Sequence, residues 1–274
     1  MLNSKLNNAR LGVAFGPLRQ SFSAASEARV GVVILAAGQG KRLNCVDKPK
    51  VMCEIGGRPI VGYIVDTLTK CAIPAENIFL VVGWQQEKIR DYFGDKVNYV
   101  VQEELKGTAH AAYTGMQALP KNVETVLVIN GDDSAFYSPA AILDFVNQHW
   151  QSVATASVLS AEPPDPSLYG RIVKHGDGRA EIIEKEYLTE EQKKIKEIST
   201  GTFCFDRKWF EKMFPSMPPL RKLGEYSLPT ALAMASNENK KVQVVKLKNN
   251  DEWFGVNTPA ELKEADRKKS EVNF

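Results

Sequence analysis

The chain has 274 residues, of which 43% are hydrophobic and 25% charged, with a formal net charge of +2. That composition fits one large α/β domain or two small ones with a sizeable core. It excludes a polyanion-binding surface built on bulk charge, and no apolar run approaches the length of a membrane span.

Residues 1–29 differ in composition from the rest of the chain. They carry Lys5, Arg10, Arg19 and Arg29 with no acid before Glu27, and they lack a continuous apolar stretch. We read a disordered N-terminal extension on a cytoplasmic protein, with an organelle transit peptide or an early start codon as the alternatives. The four cysteines (45, 53, 71 and 204) show no C-x-x-C spacing and read as reduced thiols in a reducing compartment.

The first predicted strand, Val30–Leu35, is continuously apolar, as in a strand buried on both faces. It ends in Ala36-Ala37-Gly38-Gln39-Gly40-Lys41-Arg42, with Lys50 eight residues beyond Arg42. A buried strand that breaks into such a loop presents backbone N–H groups and fixed positive charge to one spot, which suits a polyphosphate. Two better-known phosphate loops do not fit. A Walker loop needs Ser or Thr after Gly-Lys and a glycine where Leu35 stands. A dinucleotide fingerprint needs a third glycine where Leu43 stands.

Pro59 opens a predicted helix with Ile60, Ile64, Leu68 and Cys71 on one face. Phe79–Gly83 is a second buried strand, Gln86–Phe93 a short helix and Tyr99–Val101 a third strand. Gly107–Leu119 is Ala-rich and helical. Thr125–Ile129 is a fourth buried strand ending at Asn130-Gly131-Asp132-Asp133, and Ser138-Pro139 start a helix running to about Trp150. This βαβα succession implies a parallel sheet with helices on both faces.

The pattern then becomes mixed. Ala154–Ser160 is a strand, and Arg171–Val173 and Ala180–Ile183 flank a hairpin turn at His175-Gly176-Asp177-Gly178. Thr189 and Gln192 form a capping box, and Thr202–Phe205 and Val242–Leu247 are further strands. Thr258-Pro259-Ala260-Glu261 caps a polar final helix. We therefore expect one domain over residues 30–274 with a mixed β second half.

Ligands in open α/β sheets sit beyond the carboxyl ends of the strands. Three loops there carry chemistry: 36–42, 102–108 and 130–133. The Gln102 amide can pair with a base edge, and Gly107-Thr108 place N–H groups and a hydroxyl at a helix start. Asp132, at a buried strand end, can hold Mg²⁺ against phosphate oxygens, with Asp133 the second choice and Asn257 a neutral oxygen for the same ion. Each of these residues, taken alone, also reads as an ordinary turn or cap. His110 and His149 read as packed helix residues and His175 as a turn residue; no nucleophile-base pair stands out. A site without a general base suits an attacking group that is already a phosphate dianion.

Taken together, Leu35-Ala-Ala-Gly-x-Gly-x-Arg42, Pro49-Lys50-Val51 and Gly57-Arg58-Pro59-Ile60-Val61 resemble the sugar-1-phosphate nucleotidyltransferases. Within that group the chain most resembles the uridyltransferase domain of bacterial N-acetylglucosamine-1-phosphate uridyltransferase. The resemblance extends through Gly107-Thr108-Ala109-His110-Ala111, Tyr169-Gly170-Arg171-Ile172, Ile183-Glu184-Lys185, Gly224-Glu225-Tyr226 and Gly255-Val256-Asn257, and covers about residues 30 to 270. It implies a three-layer α/β/α sandwich of the nucleoside-triphosphate-transferase, Rossmann-like type.

It also implies roles. Leu35, Ala36, Ala37 and Gly38, with Asn130 and Gly131, hold the nucleotide; Gln102, Gly107 and Thr108 recognise uracil. Arg42 and Lys50 are the catalytic cations, and Asp132 and Asn257 the Mg²⁺ ligands. Gly170, Glu184 and Ser199 face the sugar. The implied reaction is Mg²⁺-dependent uridylyl transfer from UTP to a sugar-1-phosphate, with N-acetylglucosamine-1-phosphate as first acceptor and no nucleic-acid or membrane partner. Alternatives are a glucose-1-phosphate acceptor, a dTTP or CTP donor, and a non-catalytic nucleotide-sugar sensor.

Three departures stand against the family pattern. Ser199 replaces an asparagine before Thr-Gly, the loop between Arg42 and Lys50 is one residue longer, and Ser227-Leu228-Pro229-Thr230 replaces Tyr-Leu-Thr-Asp. The chain has no hexapeptide repeats, so no left-handed β-helix and no acetyl transfer are expected.

Overall fold

A computed structural model describes residues 29–40, 43, 47–220 and 224–272. The expectations for residues 1–28 and for Lys41 and Arg42 lie outside the described residues.

Strand β1 spans Val30–Leu35, as its apolar run predicts, and is buried over nearly its whole length. A short antiparallel pair comes next, β2 (Glu54–Ile55) and β3 (Arg58–Pro59). Helix α1 (Ile60–Lys70), β4 (Ile78–Val82), α2 (Gln86–Phe93), β5 (Asn98–Val101), α3 (Thr108–Ala118) and β6 (Thr125–Asn130) then alternate. Helix α4 (Pro139–Gln151) starts where Ser138 Oγ accepts a hydrogen bond from the Ala141 N–H at 3.1 Å.

The second half contains β7 (Ala156–Ala161), the β8 (Arg171–Lys174) and β9 (Ala180–Ile183) hairpin, and the single-turn α5 (Glu190–Lys193). The expected Thr189–Gln192 capping box is present on α5. β10 (Ile198–Asp206), α6 (Arg207–Met213), α7 (Leu228–Asn237), β11 (Val242–Lys246) and α8 (Pro259–Val272) complete the described chain.

Seven strands form one sheet in the order β11-β7-β10-β6-β1-β4-β5. β1 pairs in parallel with both β4 and β6, β4 with β5, and β11 with β7; β10 runs antiparallel to both of its neighbours. Alternate side chains of β1 enter two different cores. Val32 and Ile34 pack with α1, α2 and α4, whereas Val33 packs with α3, α6 and α7. The layers are therefore helix, sheet, helix, as expected. Buried Ala109, Ala111 and Ala112 keep α3 close to the sheet. A third, smaller cluster of Leu43, Cys53, Ile55, Ile60, Val256 and Ala265 seats α8 against the β2–β3 pair.

One expectation is corrected. Cys71 and Cys204 are free and buried, but Cys53 is disulfide-bonded. Spacing other than C-x-x-C does not prevent a pairing that chain folding brings about. Among the described residues no helix is long and apolar enough to cross a membrane.

Candidate active site

The parallel register aligns the carboxyl ends of four strands, with Leu35 opposite both Val81 and Asn130, and Val82 opposite Val101. Loops 36–40, 102–108 and 130–133 thus leave the sheet at one edge. Because β10 runs the other way, its start, Ser199-Thr200-Gly201, joins the same edge. A cavity of about 330 Å³ opens there, lined by Gly40, Leu43, Lys50, Asn130, Asp132, Asp133 and Asn257.

Lys50 begins a short 3-10 turn, Lys50–Met52. Gly40 makes room for it. Its φ is +65°, and a Cβ there would lie 2.6 Å from Lys50 Cβ, so both backbone and space call for glycine. Lys50 Nζ forms an ion pair with Asp132 Oδ2 and donates to Asn257 Oδ1 at 3.0 Å. The Lys50 and Asp132 side chains are only 13% and 21% exposed.

Two carboxylates hold the Asn257 loop. Asp133 Oδ1 accepts from the Val256 N–H at 3.1 Å. Glu261 Oε2 accepts from the N–H groups of Asn257 and Thr258, each at 2.8 Å, while Tyr169 donates its hydroxyl to Glu261 Oε1 at 3.2 Å. The capping box at Thr258 and Glu261 is legible in the sequence; the grip of Glu261 on Asn257 is not. Burial first, and the neighbouring Asp132 charge second, push the Asp133 carboxyl up to about 7, against the pull of Lys50 and the Val256 N–H.

The donor set fits Mg²⁺. One carboxylate oxygen and one amide oxygen converge closely enough to share a single ammonium, and both are hard oxygen ligands. Mg²⁺ needs only one or two carboxylates from a protein when phosphates complete its shell.

The 102–108 segment is tied down from both sides. The Gln102 N–H donates to Val82 O at 2.8 Å, and the residue is 5% exposed. Gly107 has φ +95° and lies against Tyr226, whose carbonyl would sit 2.5 Å from a Cβ there. The Tyr226 N–H donates to Lys106 O, Tyr226 O accepts from the Ala109 N–H, and Thr108 Oγ1 accepts from the Leu228 N–H. The unusual Ser227-Leu228-Pro229-Thr230 stretch starts α7, with Ser227 capping Thr230.

Gly170 and Glu184 meet across the β8–β9 hairpin, where Gly170 packs on the backbone of Ile183 and Glu184. Ser199 sits where the β10 ladder shifts register, and its Oγ accepts from the Gly201 N–H at 3.2 Å. Gly201 in turn lies against Asn130. Among the sequence-predicted residues, Lys50, Asp132, Asn257 and Asn130 converge in the cavity wall. Leu35 to Gly38 and Gly131 adjoin it on the ends of β1 and β6, and the Gly131 N–H donates to Leu35 O at 3.0 Å. Gln102, Gly107, Thr108, Gly170, Glu184 and Ser199 stand on flanking segments outside that wall, and Arg42 lies outside the described residues.

A sequence model of the family described as nucleotidyl transferase matches residues 31–271. The chain belongs to the nucleotidyl transferase family. It is 36% identical over 235 residues to the bifunctional protein GlmU of Heliobacterium modesticaldum, covering 85% of this chain and 50% of that protein. It is 37% identical over 251 residues to the protein of the same name from Symbiobacterium thermophilum, covering 89% and 52%. The chain thus spans about half the length of these curated relatives.

Among solved structures it is similar in fold to a putative glucose-1-phosphate thymidylyltransferase from Bacillus anthracis. That match has a TM-score of 0.73 and 23% identity, and covers 89% of this chain and 97% of that one. A UDP-glucose pyrophosphorylase complexed with UDP-glucose matches with a TM-score of 0.73 and 19% identity, covering 88% and 98%. The expected family and layer architecture are both borne out.

Proposed function

We propose that this chain transfers a uridylyl group from UTP to a sugar-1-phosphate, first among them N-acetylglucosamine-1-phosphate, releasing pyrophosphate. One observation carries the reading: Lys50 Nζ joins Asp132 and Asn257 at the sheet edge where the family's nucleotide loops emerge. The similarity to two proteins named GlmU supports this acceptor over its alternatives.

In this reading an oxygen of the sugar-1-phosphate attacks the α-phosphorus of UTP. The new P–O bond forms as the bond to the bridging oxygen breaks, and pyrophosphate leaves with that electron pair. The attacking oxygen carries no proton, so no general base is needed, in keeping with a site that offers cations and carboxylates. Lys50 balances charge gathering at the α-phosphate. Asp132 and Asn257 would hold Mg²⁺, which when bound screens the phosphate charge and fixes phosphate orientation. Glu261 and Asp133 keep Asn257 in place.

The test is pyrophosphate release measured with UTP, dTTP or CTP against N-acetylglucosamine-1-phosphate and glucose-1-phosphate, with and without Mg²⁺. The reading expects UTP with N-acetylglucosamine-1-phosphate to lead and chelation to abolish release. Release that persists after chelation, or that is led by CTP, overturns it.

A further inference from the structure

Gln102 and His110 stand eight residues apart, yet their side chains meet because the chain turns at Gly107 into α3. The Gln102 Nε2 atom lies 2.9 Å from His110 Nδ1 and 3.3 Å from the carbonyl oxygen of Gly107. A backbone carbonyl can only accept, so the atom facing Gly107 must be the amide nitrogen. That settles which way round the amide stands. Its second N–H then points at His110 Nδ1, which must offer a lone pair, and the imidazole proton resides on Nε2. Burial, and next the Lys106 charge, hold His110 below its ordinary range against the opposing pull of Glu104, and so favour the neutral ring.

Both amide protons of Gln102 are thereby committed within the protein. Among the described residues no donor bonds to its Oε1. The atom left for a ligand is an acceptor only. Uracil and thymine carry a proton on ring nitrogen N3, whereas cytosine presents a lone pair there. A locked Gln102 therefore matches the first two and sets lone pair against lone pair with the third. A free amide would rotate and offer an N–H to cytosine instead.

We infer that His110 is a positioning residue for base selection: by holding the Gln102 amide in one orientation, it makes the site prefer a pyrimidine that donates from N3. This rests on the reading of Gln102 as a base contact in a uridylyl transferase. The anchoring of His110 itself comes from α3, where its carbonyl accepts the Thr114 hydroxyl at 2.9 Å, and from the Phe214 ring, whose centroid is 6.2 Å away.

The experiment measures kcat/KM for UTP, dTTP and CTP at saturating sugar-1-phosphate in the wild type, His110→Leu and His110→Asn. The Asn Oδ1 can accept the same amide proton; Leu cannot. We expect His110→Leu to narrow the UTP-to-CTP ratio by about tenfold or more, and the dTTP-to-CTP ratio with it. His110→Asn should keep the ratio near the wild-type value. If His110→Leu does not fold, as judged by its melting transition, His110→Ala takes its place. A purely structural role lowers all three nucleotides by one common factor and leaves the ratios unchanged, which overturns the inference. So does a His110→Asn variant that narrows the ratio as much as His110→Leu. Wild-type preference for CTP overturns the uridylyl reading itself; UTP preference with an indifferent His110 overturns only the role given to this residue.

Discussion

The Oδ1 atom of Asp133 accepts a hydrogen bond from the backbone N–H of Val256 at 3.1 Å, joining the end of β6 to the loop that presents Asn257. Two residues 123 positions apart thus hold their immediate neighbours, Asp132 and Asn257, in one arrangement around Lys50.

That bond predicts a split between two substitutions. Asp133→Ala removes the acceptor and lets the Asn257 loop drift, so the Mg²⁺ concentration giving half-maximal activity should rise about 10- to 100-fold. Asp133→Asn retains an oxygen for the Val256 N–H and should recover most of the loss. Magnesium titrations of pyrophosphate release on both variants check this. An Asp133→Asn variant as impaired as the Ala variant would make Asp133 itself the ligand for the ion.

Asp132 and Lys50 should fail differently. Asp132→Asn leaves the shape of the site but removes the charge proposed to hold the ion, so turnover should fall by orders of magnitude while the melting transition stays near that of the wild type. Lys50→Ala removes the positive charge that the proposed reaction sets beside the α-phosphate, and kcat should fall about 10²–10³-fold. Steady-state kinetics with UTP varied separate the two outcomes. A Lys50→Ala effect confined to KM would make this lysine a ground-state binding group.

His149 predicts how the fold responds to acid. It is 3% exposed, with Nδ1 2.7 Å from Ser157 Oγ, and burial lowers its pKa from an ordinary 6.5 to about 4. Its pKa is depressed on folding, so the unfolded chain binds the proton more readily between those values. The stability it contributes is complete above about pH 6.5 and is lost as pH falls towards about 4. Between about pH 7 and pH 5 the loss should be about 2 kcal/mol. Denaturant titrations at both pH values measure it, and His149→Gln should remove this part of the slope whatever its own effect at neutral pH.

Much of this architecture is legible along the chain. The bounds of β1 follow from the unbroken apolar run Val30–Leu35, and α2 spans Gln86–Phe93 as its pattern predicts. Local patterns state that a segment is a strand but not which way it runs. The Thr202–Phe205 stretch reads as a strand, yet nothing in it announces that β10 is antiparallel, the fact that carries Ser199 to the site edge. The start of α7 at Ser227 is hidden because Pro229 and Thr230 stand where a capping acid is sought. Lys50, Asp132 and Asn257 are each legible as candidates, because strand ends and motifs place them. The bond of Asp133 to Val256, which supports Asn257, and that of His110 to Gln102 depend on contacts that exist only after the chain has folded.

Under the proposed function, Ser199 bears on the choice of sugar. Its Oγ already accepts the Gly201 N–H at 3.2 Å within the irregular start of β10, so its hydroxyl is partly committed to the protein. An asparagine at this position would carry a longer side chain with both a donor and an acceptor. One neutral hydrogen bond contributes about 0.5–1.5 kcal/mol, roughly 2- to 12-fold in preference. The wild type should therefore turn over N-acetylglucosamine-1-phosphate with only a modest advantage over glucose-1-phosphate. Ser199→Asn should widen that advantage by about the same 2- to 12-fold range. The check is kcat/KM for both sugars in both proteins at saturating UTP. Strong discrimination in the wild type, unmoved by Ser199→Asn, would place acetamide recognition elsewhere on the sheet edge, with the hairpin residues Gly170 and Glu184 the next to vary.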